Sequence, residues 1–176
     1  MIIRLAEKQD IKPIMGLLAQ VVPLMNASGN FQWDHTYPNA KVFENDIALN
    51  QLWVAEAGGH IAGFAAITTD QEAEYASIGI DITQPAIVTH RLAVGVNFRG
   101  QGIAEALLKQ AEQVAITRGI KVLRIDTNSN NKATRKLFPK MGYEYMGETD
   151  LHFRPNLRFY CYEKTLAEGG NTLNSY

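Results

Sequence analysis

Cysteine is almost absent from this chain: Cys161 is the one thiol among 176 residues. A single thiol closes no intrachain disulfide and builds no cysteine-rich metal site, and it suits a reducing compartment. Excess charge is lacking too. The 17 basic side chains nearly balance the 18 acidic ones, for a formal net charge of −1. Bulk electrostatics therefore favour neither nucleic acid nor a membrane surface as partner. No apolar run nears the roughly 20 residues of a membrane-spanning helix. The opening MIIRLAEKQD reaches charge too early for a secretory signal, so a cytoplasmic location is the expectation. His35, His60 and His152 lie far apart with no metal-ligand spacing, and no metal is expected. No internal repeat or low-complexity linker interrupts the chain. What is present is a content of 46% apolar residues, enough for a full core in a chain of about one domain's length. One domain is expected over 1–166, with the patternless 167–176 as a flexible tail.

Periodicity orders the elements. Ile2–Ala6 reads as a strand. Asp10 can cap a helix that carries Ile11, Ile14, Leu18, Val21 and Val22 on one face, with Pro13 in its first turn. A second helix is expected over YPNAKVFENDIAL, opened by Pro38. LWVAEA and IAGFAAIT flank Gly58-Gly59-His60 as a hairpin, and AIVTHRLAV follows as a strand rich in β-branched residues. Ile103, Leu107, Leu108, Ala111, Val114 and Ala115 have the spacing of a core-facing helix, with Gly119 as its stop. KVLRID, the helix of Asn130 to Met141, and the strands YEYMGET and RFYCYEKTL complete the order β-α-α-β-β-β-α-β-α-β-β, a mixed α/β fold.

The stretch VNFRGQGIAEALL, Val96 to Leu108, runs glycines into a helix, a device for bringing backbone close to phosphate. Gly95 and Gly100 have P-loop spacing, but Gln101-Gly102 stand where lysine and a hydroxyl residue are needed. The dinucleotide fingerprint fails at Glu105, where a third glycine belongs. Arg99-x-x-Gly102-x-Ala104 fits a third pattern, R/Q-x-x-G-x-G/A, between a strand ending LAV and an amphipathic helix. Here the sequence resembles the GNAT superfamily of acyl-CoA-dependent N-acetyltransferases, although Val96 replaces a common proline. VLRIDTNSNNKATRKLFPKMGY looks like the superfamily's next strand and helix, with Asn130, Ala133 and Gly142-Tyr143 at its landmarks.

The resemblance implies a mixed, mostly antiparallel sheet of about seven strands, splayed between the fourth and fifth and flanked by about four helices. It implies acetyl-CoA as co-substrate. Arg99, Gly100, Gln101, Gly102, Ile103 and Ala104 would take its pyrophosphate, Leu92, Ala93 and Val94 its pantetheine arm, and Asn130 and Phe138 would border it. A backbone N–H near Leu92 or Val94 would stabilise the oxyanion. The superfamily's usual general acid, a tyrosine four residues before the landmark glycine, is Phe138 here, which has no proton to give. Tyr143, Tyr160 and Tyr162 are substitutes or half-buried strand residues. His90, with the strand parity of Leu92 and Val94, is the candidate base, against a structural histidine on a buried strand.

The acceptor side falls to FQWDHTYP, Phe31 to Pro38. Trp33 and Tyr37 would wall it and Asp34 would attract an ammonium group, or Trp33 and Tyr37 would merely anchor the loop while Asp34 caps a turn. The acidic DQEAEY run could steer a cation or be solvated. The activity this implies is acetyl transfer to a primary amine of a small molecule by direct attack, or to a peptide or protein N-terminus. A non-catalytic acyl-CoA-binding regulatory module is the alternative, and homodimers occur in the superfamily.

Overall fold

The computed structural model describes residues 1–167, and the expected tail lies, from residue 168 on, outside them. Seven strands form one open sheet in the order β1-β2-β3-β4-β5-β7-β6. They are β1 (Ile2–Leu5), β2 (Leu52–Ala57), β3 (His60–Thr68), β4 (Ala86–Val94), β5 (Val122–Asn128), β6 (Glu144–Thr149) and β7 (Phe159–Thr165). Every pairing is antiparallel except β4 with β5. Gly58 and Gly59, both at positive φ, make the tight turn between β2 and β3 that the hairpin pattern predicts. The described residues form four α-helices, α1 (Ile11–Ala27), α2 (Ala40–Ala48), α3 (Ile103–Arg118) and α4 (Lys132–Lys140). Among the described residues no helix is long and apolar enough to cross a membrane.

Helix starts depart from the sequence expectation in two places. Asp10 makes no side-chain cap to α1. Its carboxylate instead takes the Arg4 guanidinium at 2.7 and 2.9 Å and the Glu7 amide at 2.7 Å, which closes a 3-10 turn over Lys8–Asp10. Pro38 does not open α2; Asn39 does, its Oδ1 accepting from the Val42 amide at 3.2 Å. In each case a polar side chain satisfies an amide that a helix start leaves orphaned, or finds a stronger partner.

The two sheet faces are covered differently, and this positions the site. On one face α3 and α4 bury Leu108, Ala111 and Phe138 against Ile67, Ile87, Leu123 and Ile125, and Leu107 against Ala55, Ala62 and Ala65. On the other, α1 and α2 press Ile14, Leu18 and Phe43 onto Val54, Phe64 and Ala66. Those helices cover the β1–β4 half only. Over β5–β7 the loop 69–85 takes their place, packing Tyr75 and Ile80 against Phe159 and Cys161. At the sheet's centre β4 and β5 pair only from Ala86 to Thr89 and Val122 to Ile125, then part. A cleft opens there.

A bulge shapes the cleft wall. Phe64 pairs with Ala93 and Ala66 with His90, so Arg91 and Leu92 together face one residue of β3. Arg91 takes φ +53° to allow it. The extra residue reverses the parity expected for His90: its side chain shares the face of Ala66 and Ala93, and Leu92 and Val94 pack toward α3.

Candidate functional site

One cavity of about 1090 Å³ occupies the cleft and runs from the start of α3 to the 31–38 loop. At the α3 end the wall is backbone. Gly102 is the N-cap at φ +76°, and without a side chain it leaves the first amides of the helix uncapped. Gly100 is also left-handed, at φ +73°. Those amides and the positive helix end suit an anionic group. Arg99, Gly100, Gly102, Ile103 and Ala104 line the cavity here. Gln101 does not; its amide donates to the Asn97 carbonyl at 3.1 Å. Glu105, the residue that spoils the dinucleotide pattern, is tied to Lys140 at 2.7 Å, which mutes its repulsion of phosphate.

A Cβ built at Gly102 meets no heavy atom within 4 Å and would stand in the open cradle. The space therefore fits a pyrophosphate approaching backbone closely. Gly102→Ala is expected to lower the melting temperature, because a side chain at positive φ costs about 1–2 kcal/mol. It should also weaken coenzyme A binding about tenfold by calorimetry.

Along the cleft, Leu92, Ala93 and Val94 line the cavity with a strand edge that β5 no longer pairs. Asn130 and Phe138 border the same space. Phe138 is fully buried and edge-on to Tyr162 at 5.3 Å. Tyr143, Tyr160 and Tyr162 lie outside the cavity lining. Tyr143 is buried in the core, and Tyr160 packs beneath the Arg135 guanidinium at 4.6 Å. Only Tyr160 is a half-buried strand residue; Tyr162 is a buried one and Tyr143 precedes β6.

The far end holds the side chains with acid–base character. His90 lines the cavity and its Nε2 lies 3.0 Å from the Asp70 carbonyl. A carbonyl only accepts, so Nε2 carries the hydrogen and Nδ1 keeps its lone pair. Burial lowers the His90 pKa, with the Arg91 charge adding to it. Glu72 and Asp126 line the same space. Burial raises Glu72, and Glu74 and Asp70 raise it further. Burial pushes Asp126 up to about 6 against a hydrogen bond from the Tyr75 hydroxyl.

The aromatic loop divides its duties. Trp33 is 5% exposed, stacks on Phe64 at 6.5 Å and still lines the cavity. Tyr37 lines it too, accepting from Arg91 at 3.3 Å beneath the Arg154 guanidinium. Asp34 is not among the lining residues. It accepts from the Thr36 hydroxyl and amide at 2.6 and 2.7 Å and pairs with Arg154 at 3.3 Å, which hold its pKa down to about 2. The expected ammonium anchor is thus a turn-forming aspartate.

Sequence reasoning missed Arg91, Asp126 and Thr89, and read Glu72 only as part of a charge run. Arg91 binds Asp46 through two bonds of 2.7 and 2.8 Å, fastening the bulge to α2. A charge in the middle of an apolar strand, as in THRLAV and RIDTN, was the available signal for Arg91 and Asp126.

An amide cradle, an open strand edge and an acid–base pocket share one cleft, as a transferase working from a phosphorylated acyl carrier would need. Comparison with known proteins agrees. The Acetyltransferase (GNAT) family model matches residues 18–143. The chain is 25% identical over 142 residues to the uncharacterized N-acetyltransferase YesJ of Bacillus subtilis, covering 79% of each. It is 27% identical over 106 residues to human N-acetylaspartate synthetase, covering 60% of this chain and only 32% of that one. A GNAT-family acetyltransferase structure from Streptococcus agalactiae superposes with TM-score 0.80 at 26% identity, covering 95% of this chain and 96% of that one. The fold is also shared with yncA, a Salmonella typhimurium structure holding its cofactor acetyl-CoA, at TM-score 0.66 and 20% identity, with coverage of 96% and 95%. The chain belongs to the GNAT acetyltransferase family and is an N-acetyltransferase.

Proposed function

We propose that this enzyme moves an acetyl group from acetyl-CoA to a primary amine of a small cationic molecule, by direct attack in a ternary complex. A peptide or protein N-terminus is the second acceptor class. The observation that carries this reading is an imbalance of charge at the acceptor end. The Arg91 guanidinium there is held by Asp46 and Arg154 reaches Asp34 through Nη1, while the Arg154 Nη2 is buried without a hydrogen-bond partner. Glu72 and Asp126 face the cavity with no cation paired to either among the described residues. Both pKa values are raised by burial, so an ammonium group nearby would stabilise their charged forms.

Acetyl-CoA, when bound, supplies the reactive thioester. Gly100 to Ala104 would hold its pyrophosphate and the open edge of Leu92 to Val94 its arm. His90, kept neutral by burial and oriented by the Asp70 carbonyl, takes the proton of the attacking amine on Nδ1. Cys161 supports direct attack by its unsuitability as a relay. It lies outside the cavity, and burial pushes its thiol up to about 12.

Thiol release on mixing protein, acetyl-CoA and an amine panel tests this function. Small cationic amines should release coenzyme A, and aspartate should not, since its carboxylates would meet Glu72 and Asp126. Silence across the panel would overturn the reading. Glu72→Gln should raise KM for the cationic acceptor about tenfold, the worth of one charged hydrogen bond. KM for acetyl-CoA should stay unchanged.

A further inference from the structure

Thr89 is the last residue of β4 to pair with β5, opposite Ile125, and it sits at the vertex of the cleft. It is 3% exposed, lines the cavity, and its hydroxyl has no hydrogen-bond partner. A buried hydroxyl without a partner calls for an explanation, because nearly all such groups are satisfied. Its surroundings are hydrocarbon. Thr89 pairs with Ile67 on one side and Ile125 on the other, both in the cluster that holds Phe138. Leu92 and Leu137 also line the cavity. So one unpartnered O–H donor lines the cleft between two isoleucines of the cluster that also holds Phe138, the phenyl ring at the position of a proton donor.

What meets that donor follows from topology. An arm that starts at the Gly100–Ala104 cradle and follows the free edge past Val94, Ala93 and Leu92 ends where β5 closes the cleft, at Thr89. The end of the acyl carrier's arm is its sulfur. Building on the donor reading above, we propose that the Thr89 hydroxyl donates a hydrogen bond to the sulfur as the acetyl group leaves, and so serves as the catalytic donor that Phe138 cannot be.

The step balances without an added reactant. The nitrogen–carbon bond forms and the carbon–sulfur bond breaks, with the electron pair of the broken bond staying on sulfur. The amine's proton goes to His90. Thr89 shares its hydrogen and keeps it, and solvent carries the proton from His90 to the thiolate. A lone hydrogen bond suffices because a thiol with a pKa near 8.5 is already a fair leaving group near neutral pH.

The test uses the full chain with coenzyme A bound and follows the ultraviolet absorbance of the thiolate against pH. Thr89→Val keeps the shape and β-branching of the side chain and removes the donor. The bound thiol should titrate about one pH unit higher in Thr89→Val than in the wild type, a tenfold loss of thiolate at a given pH below the transition. Thr89→Ser should restore the wild-type titration. In turnover, kcat should fall several-fold in Thr89→Val while KM for acetyl-CoA holds. Coincident titrations of wild type and Thr89→Val would overturn the proposal, even if the variant slowed turnover or weakened binding. In that event the hydroxyl meets the carbonyl oxygen or the arm instead. Calorimetry separates the two readings: wild-type protein that binds no coenzyme A would overturn the donor reading itself, and this proposal with it.

Discussion

Arg124→Met is expected to lower the unfolding free energy by about 3–5 kcal/mol, the range for breaking a buried ion pair by removing one partner. Arg124 is 1% exposed, the largest fully buried side chain among the described residues. Its Nε binds Glu163 at 2.9 Å, Nη1 binds the Gln71 side chain and the Asp81 carbonyl, and Nη2 binds Gln84 at 3.1 Å. Methionine would fill most of the volume and leave four acceptors without their donor. Three of these acceptors belong to the loop 69–85, the segment that stands in for a helix over this half of the sheet. The same loop offers the Asp70 carbonyl to His90, Glu72 to the cavity and the Tyr75 hydroxyl to Asp126. The loss should therefore reach function unevenly. KM for the acceptor should rise, and KM for acetyl-CoA should change little, because the α3 cradle does not touch Arg124. Urea unfolding and paired KM measurements check both halves. An unchanged unfolding midpoint would show that Arg124 is no clamp.

Arg124 also marks the boundary of what could be read from the sequence. Local rules sufficed where structure is local. Gly58-Gly59 marked the hairpin turn, the β-branched run of β4 was bounded correctly at Ala86 and Val94, and Arg99-x-x-Gly102-x-Ala104 marked the start of α3. The acceptor end was less legible because contacts distant in sequence build it. Arg124 meets residues 39 to 53 positions away, and nothing near it in sequence names them. Within the loop 69–85, DQEAEY read as a charge run that steers a cation or is solvated, yet the loop turns Gln71, Glu72, Tyr75 and Gln84 inward, because that half of the sheet has no helix to cover it. The bulge is the sharpest case. THRLAV alternates as a regular strand should, and arginine at positive φ leaves no compositional trace, so strict period-two counting put His90 on the wrong face. Moving it across the sheet strengthens its candidacy, since the acceptor-end carboxylates lie there and the cradle-side arm contacts do not.

His90→Gln is expected to lower kcat/KM by about 10²- to 10⁴-fold, the usual worth of a positioned general base. Glutamine isolates the base from the scaffold. Its side-chain amide can still donate to the Asp70 carbonyl, as Nε2 does at 3.0 Å, but nothing in it accepts a proton near neutral pH. The pH profile supplies a second reading. The competent form of His90 is neutral, and burial lowers its pKa. Activity should be complete at neutral pH and be lost as pH falls through a value below the ordinary 6.5 or so of histidine. Glu72 would give a limb of the same sign, because a carboxylate must also be deprotonated to act as base, and its raised pKa brings that limb upward toward the same region. Position alone cannot separate the two groups, so the variants must. If His90 takes the proton, the acid limb of kcat disappears in His90→Gln and persists in Glu72→Gln, where only acceptor KM moves. A limb that survives in His90→Gln and disappears in Glu72→Gln would transfer the base to Glu72 and leave His90 as the residue that fastens the loop to the strand.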